Sequence, residues 1–199
     1  MERHASKTIR EWVQQEAIVL GPEFLRVDGV LNHRIDPAFI EQVGEELARH
    51  FMLFEATCVL TAEAAGNIVA FELAKRLGIR ALYAKKGKAA TMENPIVRTV
   101  VSPTKGTETQ LAVCGNYLDT EDRVIIVDDF LYKGVTSTAL AEMVAESGAV
   151  LAGFGFVIEK SFANGRQVLS QFDVPIVSLA PIASMDSTSG EILFVEGTR

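Results

Sequence analysis

The chain has 199 residues, 48% of them hydrophobic, and a formal charge of −7. That length and apolar content support one α/β domain with a substantial core, and the acidic balance argues against a nucleic-acid surface, which would display a basic stripe. No opening run is long and apolar enough for a signal peptide or membrane span, because His4, Lys7, Arg10 and Glu11 interrupt it. A cytoplasmic protein acting on small ligands is expected. Cys58 and Cys114 stand apart in apolar stretches and read as buried free thiols; His4, His33 and His50 lack metal-site spacing.

In chain order, Ile9, Trp12 and Val13 lie at helical spacing, so Ser6 to Glu16 is predicted as a short amphipathic helix ended by Gly21-Pro22. FLRVDGVLNHRID follows as an irregular flap. Asp36 before Pro37 predicts a capped helix carrying Phe39, Ile40, Val43 and Leu47. From Thr57 strand and helix alternate: Thr57 to Ala62, Asn67 to Leu77, then Arg80 to Ala84, with Gly78 as the cap between. Such alternation implies parallel strands with ligands at their C-terminal ends. The loops that matter are therefore Glu63-Ala64-Ala65-Gly66, Lys85-Lys86-Gly87-Lys88 and Asp128 to Thr136.

Ile96 to Ser102 and Thr109 to Cys114 read as a hairpin arm able to close as a lid. Further along, a helix from near Thr136 carries Leu140, Met143 and Val144 and ends at Gly148. Val150 to Ile158, Ile176 to Leu179 and Ile192 to Val195 are strands, with a short helix around Gln167 to Leu169.

The chemistry concentrates in VIIVDDFLYKGVTST, Val124 to Thr138. Four unbroken apolar residues predict a strand buried on both faces, with Asp128 and Asp129 where it ends. The turn at Gly134 lets backbone amides share one concavity, and Thr136 adds a hydroxyl at a helix start whose dipole favours an anion. Carboxylates repel phosphate but accept from hydroxyls. A sugar phosphate satisfies both demands, with its phosphate in the loop and its ribose hydroxyls on the acids. By residue type alone, adjacent acids are more often a solvated strand end, Glu63 to Gly66 is more often only a tight turn, and a lysine cluster is most often a solvated face.

This stretch resembles the phosphoribosyl-diphosphate motif of type I phosphoribosyltransferases, and FLRVDGVLNHRIDP and GFGFVIEKSF extend the resemblance, over nearly the whole chain, to the bacterial xanthine-specific members of that family. The resemblance implies a single domain over residues 1–199: a central, mostly parallel sheet flanked by helices, a hood from about 20–36 and 180–199, and a flexible arm. It places ribose hydroxyls on Asp128 and Asp129, and the 5-phosphate on Tyr132, Lys133, Gly134, Val135 and Thr136. Pyrophosphate falls to Ala64, Ala65, Gly66 and Lys85, and xanthine to Leu25, Asn32 and Lys160. Magnesium is implied as travelling with the diphosphate rather than on protein ligands, and the assembly as a homodimer. The chain departs from the pattern at Lys133, where a threonine is usual, and at Tyr132, where hypoxanthine-guanine enzymes carry an aspartate. No general base is assigned. The alternatives are a hypoxanthine-guanine transferase and a non-catalytic sensor of phosphoribosyl diphosphate or purine.

Two further motifs fail. Gly153-Phe154-Gly155 lacks the third glycine of a dinucleotide fingerprint, and Glu159-Lys160-Ser161 has Glu159 where a P-loop needs glycine.

Overall fold

The structure is a computed structural model that describes residues 7–88, 90–101 and 106–197. Ten strands and five helices are described. An eight-stranded sheet has the order β10-β9-β8-β7-β3-β4-β6-β5. Its strands are β3 (Cys58–Ala62), β4 (Arg80–Lys86), β5 (Pro95–Val101), β6 (Glu108–Cys114), β7 (Arg123–Leu131), β8 (Val150–Lys160), β9 (Ile176–Met185) and β10 (Ile192–Phe194). The five central strands run parallel, and β10 at one edge and the β5–β6 arm at the other are antiparallel. The α/β class and mostly parallel sheet expected from the alternation are observed.

Helices cover both faces. On one side α1 (Ile9–Glu16), α2 (Pro37–Phe51) and α3 (Gly66–Leu77) pack against Ile125 and Val127; on the other α4 (Val135–Ser147) and α5 (Gly165–Leu169) pack against Val124 and Ile126. Because side chains alternate along a strand, an unbroken apolar run is what two covered faces require. The glycines of Gly153-Phe154-Gly155 have a packing role: a Cβ on Gly153 would lie 2.9 Å from the Phe51 ring, so α2 sits directly on β8 there.

Several boundaries differ from expectation. α1 begins at Ile9 behind a capping box between Thr8 and Glu11, and Ser6 lies outside the described residues. Gly21-Pro22 does not end that helix but turns a small antiparallel hairpin, β1 (Ile18–Val19) and β2 (Leu25–Arg26), so the flap has regular structure at its base. Asp36 caps α2 as predicted, accepting from the amides of Ala38 and Phe39. Cys58 is buried, but Cys114 is only half-buried, and both thiols are free.

At the edge opposite the ligand loops, Asp122 is nearly fully buried and ties three segments together. It accepts from the Thr57 hydroxyl at 2.7 Å and the Asp119 amide at 3.1 Å, and pairs with Arg80. Burial would raise its pKa, but these hydrogen bonds prevail and hold the carboxyl below its usual range.

Candidate active site

The acids lie within β7 rather than at its end. Pairing of β7 with β3 stops at Ile126, opposite Leu60, whereas pairing with β8 continues to Leu131, opposite Glu159. Asp128 and Asp129 therefore occupy a fork, held from one side by β8 and open on the other. The expectation failed because apolar patterning reports burial, and this strand continues after its burial on the β3 side has ceased.

A cavity of about 740 Å³ fills the fork. Its lining includes both acids, Thr136, Ala64, Ala65, Asn32 and Lys86, with Val100, Val101, Thr107, Thr109 and Leu111 from the arm. The tip of the arm, Ser102 to Lys105, lies outside the described residues, so closure of the lid stays an expectation.

Two helix starts meet at this cavity without side-chain caps. α4 is preceded by Gly134, whose φ of 73° favours glycine, and α3 by Ala65; neither receives a side-chain hydrogen bond. By contrast α1 and α2 are capped by Thr8 and Asp36. No side chain takes the first amides of α3 and α4, although the Asn67 amide donates to the Ala64 carbonyl at 3.1 Å, and the helix dipoles make an anion the preferred outside acceptor. Gly66 itself is sterically required: a Cβ there would lie 2.0 Å from the Thr61 hydroxyl and 2.9 Å from an Asp128 carboxylate oxygen.

Burial first, and then the neighbouring charge of Asp129, hold the Asp128 carboxyl well above the usual range, opposed weakly by Lys86. Asp128 also accepts from the Asp129 amide at 2.9 Å. The Asn32 side-chain amide donates over a long 3.5 Å to Asp129, bringing the flap to the acids. Among the described residues no group of three or more His, Cys, Asp or Glu side chains is arranged to hold a metal. Asp128 and Asp129 are the carboxylates at the cavity whose oxygens could approach a divalent ion.

The structure sorts the remaining candidates. Lys86, not Lys85, reaches the main cavity: Lys85 sits in β4, where strand alternation turns it into a separate cavity of about 480 Å³ with Tyr83, Cys114 and Tyr117. Lys133 and Val135 line a smaller cavity beside Arg98 and Glu142, leaving Thr136 as the one residue among those expected at the 5-phosphate that lines the main cavity. Leu25 and Lys160 do not line the main cavity. The Lys160 ammonium donates to the Glu23 carbonyl at 2.5 Å and lies 5.4 Å from the Phe130 ring centre and 5.0 Å from that of Tyr132. Burial pushes its pKa down, with the charge of Glu23 acting against that. Tyr132 donates to the Glu23 carboxylate at 2.5 Å, and this bond, then burial, raises its pKa, so its phenol stays protonated and is a poor base at neutral pH.

Sequence reasoning missed Glu23 and Thr61, and placed Glu63 in a ligand loop without giving its side chain a role. Glu63 accepts from the Lys86 amide at 2.6 Å and so joins two of the ligand loops. Glu23 carries no motif. Thr61 had a signal in principle, since it is the polar member of the otherwise apolar CVLTA strand.

A parallel sheet opened at a fork, with two acids between two uncapped helix starts, defines a type I phosphoribosyltransferase. Solved structures agree on the fold. The adenine phosphoribosyltransferase of Thermoanaerobacter pseudethanolicus matches with TM-score 0.74 and 25% identity over 87% of this chain and 99% of that one. The Giardia lamblia enzyme, complexed with 9-deazaadenine, matches with TM-score 0.76 and 19% identity over 88% of this chain and 98% of its own. No family profile matches the chain. Curated relatives are more specific: xanthine phosphoribosyltransferases of Bacillus mycoides and Pseudomonas entomophila are each 38% identical over 191 residues, 96% of this chain, covering 96% and 100% of those proteins. The chain belongs to the xanthine phosphoribosyltransferase family.

Proposed function

We propose that the protein transfers ribose 5-phosphate from phosphoribosyl diphosphate to xanthine, giving xanthosine monophosphate and pyrophosphate. The observation that carries this reading is the pair of acids set between the uncapped starts of α3 and α4. One helix start takes the 5-phosphate and the other the pyrophosphate, and the acids between them take the ribose hydroxyls. In this reading Thr136 and the amides after Gly134 bind the 5-phosphate. Ala64, Ala65 and Gly66 present backbone to the diphosphate, and Lys86, in place of Lys85, supplies the nearby cation.

As pyrophosphate leaves, positive charge develops at the anomeric carbon, and the half-buried Asp128 and Asp129 stabilise it and orient the ring. Magnesium, if carried in with the diphosphate beside Asp128 and Asp129, would supply charge neutralisation to the leaving group, with Lys86 as the protein's own nearby cation. The lid excludes water that would otherwise hydrolyse the activated sugar. Lys160 donates to the purine's exocyclic oxygen at C6, a contact that an amino group at that position refuses, while Leu25 and Asn32 cover the base. With Tyr132 protonated, xanthine's own acidity stands in for a general base. We place the enzyme in the cytoplasm as a homodimer; exposed Tyr83 and Tyr117 leave apolar surface for a second copy.

The test is pyrophosphate release with xanthine, hypoxanthine, guanine and adenine in parallel, with sedimentation for the dimer. Xanthine is expected to give the highest kcat/KM and adenine none. Preference for hypoxanthine or guanine would reassign the base, and no release with any purine would overturn the reaction.

A further inference from the structure

Glu23 makes two contacts, one with Lys160, expected to read the purine, and one with Tyr132, expected at the 5-phosphate. Its backbone carbonyl takes the Lys160 ammonium, and its carboxylate takes the Tyr132 hydroxyl, each at 2.5 Å. The residue is exposed on the β1–β2 turn, which is tightened by hydrogen bonds from the Leu20 amide to the Phe24 carbonyl and from the Phe24 amide to the Gly21 carbonyl. Lys160 comes from the end of β8 and Tyr132 from just after β7, so the turn bridges two neighbouring strands at the edge where ligands enter.

The acceptor on Lys160 is chemically informative. A half-buried ammonium needs an acceptor whether or not substrate is bound. A peptide carbonyl and the C6 carbonyl of an oxopurine offer it the same kind of lone pair. Neither Lys160 nor Tyr132 lines the main cavity, and the Glu23 carbonyl already takes the Lys160 ammonium, so a purine oxygen that is to occupy that direction has to displace the carbonyl.

We propose that Glu23 is a positioning residue that latches the flap over the empty purine subsite, its carbonyl standing in for the purine oxygen on Lys160 until substrate displaces it. The carboxylate bond to Tyr132 sets the strength of the latch. Lys160 thereby stays oriented and partnered in the empty enzyme, and substrate binding works against the latch. This inference rests on the proposed reaction.

The test compares Glu23→Ala and Glu23→Gln with the unaltered protein at saturating phosphoribosyl diphosphate. Loss of one hydrogen bond from the latch should lower KM for xanthine roughly two- to tenfold in Glu23→Ala, with kcat moving less. Glu23→Gln, whose amide oxygen still accepts from Tyr132, should fall between. In the unaltered protein, hydrogen exchange of backbone amides in residues 20–26 should quicken when xanthosine monophosphate is added. A carboxylate that contacts substrate would raise KM on removal, and a merely structural one would lower kcat/KM and stability together; either result overturns the latch, as does an unchanged KM or exchange that slows or stays the same. If the unaltered protein releases no pyrophosphate with any purine, the reaction itself is wrong; if it does and KM is unmoved, only the latch fails.

Discussion

Replacing Gly66 by alanine tests whether the fork is built as described. The new Cβ would sit 2.0 Å from the Thr61 hydroxyl, about 1.4 Å short of ordinary contact, and 2.9 Å from Asp128. Thr61 is fully buried, so its hydroxyl has no solvent to swing into. Overpacking of this kind costs about 1–3 kcal/mol, which in a chain of this size lowers Tm by roughly 2–12 °C. Activity should suffer more, because the displaced atoms include Asp128, the acid proposed to take the ribose hydroxyls, and a shift of about 1 Å at a reacting group costs on the order of 100-fold. Thermal melting and pyrophosphate release give the two readouts. Adding Thr61→Ala opens the tighter contact and should restore most of the lost Tm but only part of kcat/KM, since the approach to Asp128 remains. Near-native Tm and kcat/KM in Gly66→Ala, or a double variant no more stable than the single, would refute the close packing of Thr61, Gly66 and Asp128.

Three further outcomes follow from Asp128 and Cys58. Asp128→Asn should weaken sugar-phosphate use by roughly ten- to a hundredfold, the value of a charge-assisted hydrogen bond of about 1.5–3 kcal/mol, seen as a raised KM for phosphoribosyl diphosphate or a lowered turnover. The same variant should be more stable at neutral pH: the folded carboxyl titrates above its unfolded value, so the favourable term is present at low pH and lost as pH rises through the folded pKa, and an amide has no charge to desolvate. A lowered Tm at pH 7 would contradict this. Burial pushes the Cys58 thiol from 9.0 up to about 11. Its contribution is therefore complete below about pH 9 and fades towards pH 11, by up to about 3 kcal/mol. Denaturant melts should show the unaltered protein losing stability relative to Cys58→Ala across that interval, and parallel curves would count against it.

The helices, the parallel strands and the location of the ligand loops were legible because apolar periodicity directly records which faces are covered. Asp36-Pro37 and Gly148 marked helix ends for equally local reasons. Pairing was less legible. VIIVDD does not say that β3 ends before β7, because that depends on where Glu63 to Gly66 turns away, and so the acids were placed at a strand end instead of a fork. Lys85 and Lys86 are chemically identical in the text and separated only by strand parity, which a one-residue shift inverts. Glu23 was invisible because its partners, Tyr132 and Lys160, lie 109 and 137 residues away, and its peptide carbonyl carries no residue identity at all.

One consequence of the packing behind the site concerns attempts to change the base that is read. Glu159, adjacent to Lys160, is buried and grips Arg166 of α5 through bonds of 2.9 and 2.5 Å; burial would raise its carboxyl, but Arg166 prevails and holds it low. The neighbouring Gly165 presses on the loop after β7 so closely that a Cβ would come within 2.3 Å of the Tyr132 carbonyl oxygen. The strand end bearing Lys160, the proposed purine reader, and the loop after β7, the proposed phosphate cradle, are therefore braced through one short helix. Exchanging Lys160 together with its flank would tug on that cradle, so altered base preference and weakened donor binding should arrive together unless Glu159, Gly165 and Arg166 are transplanted as a unit.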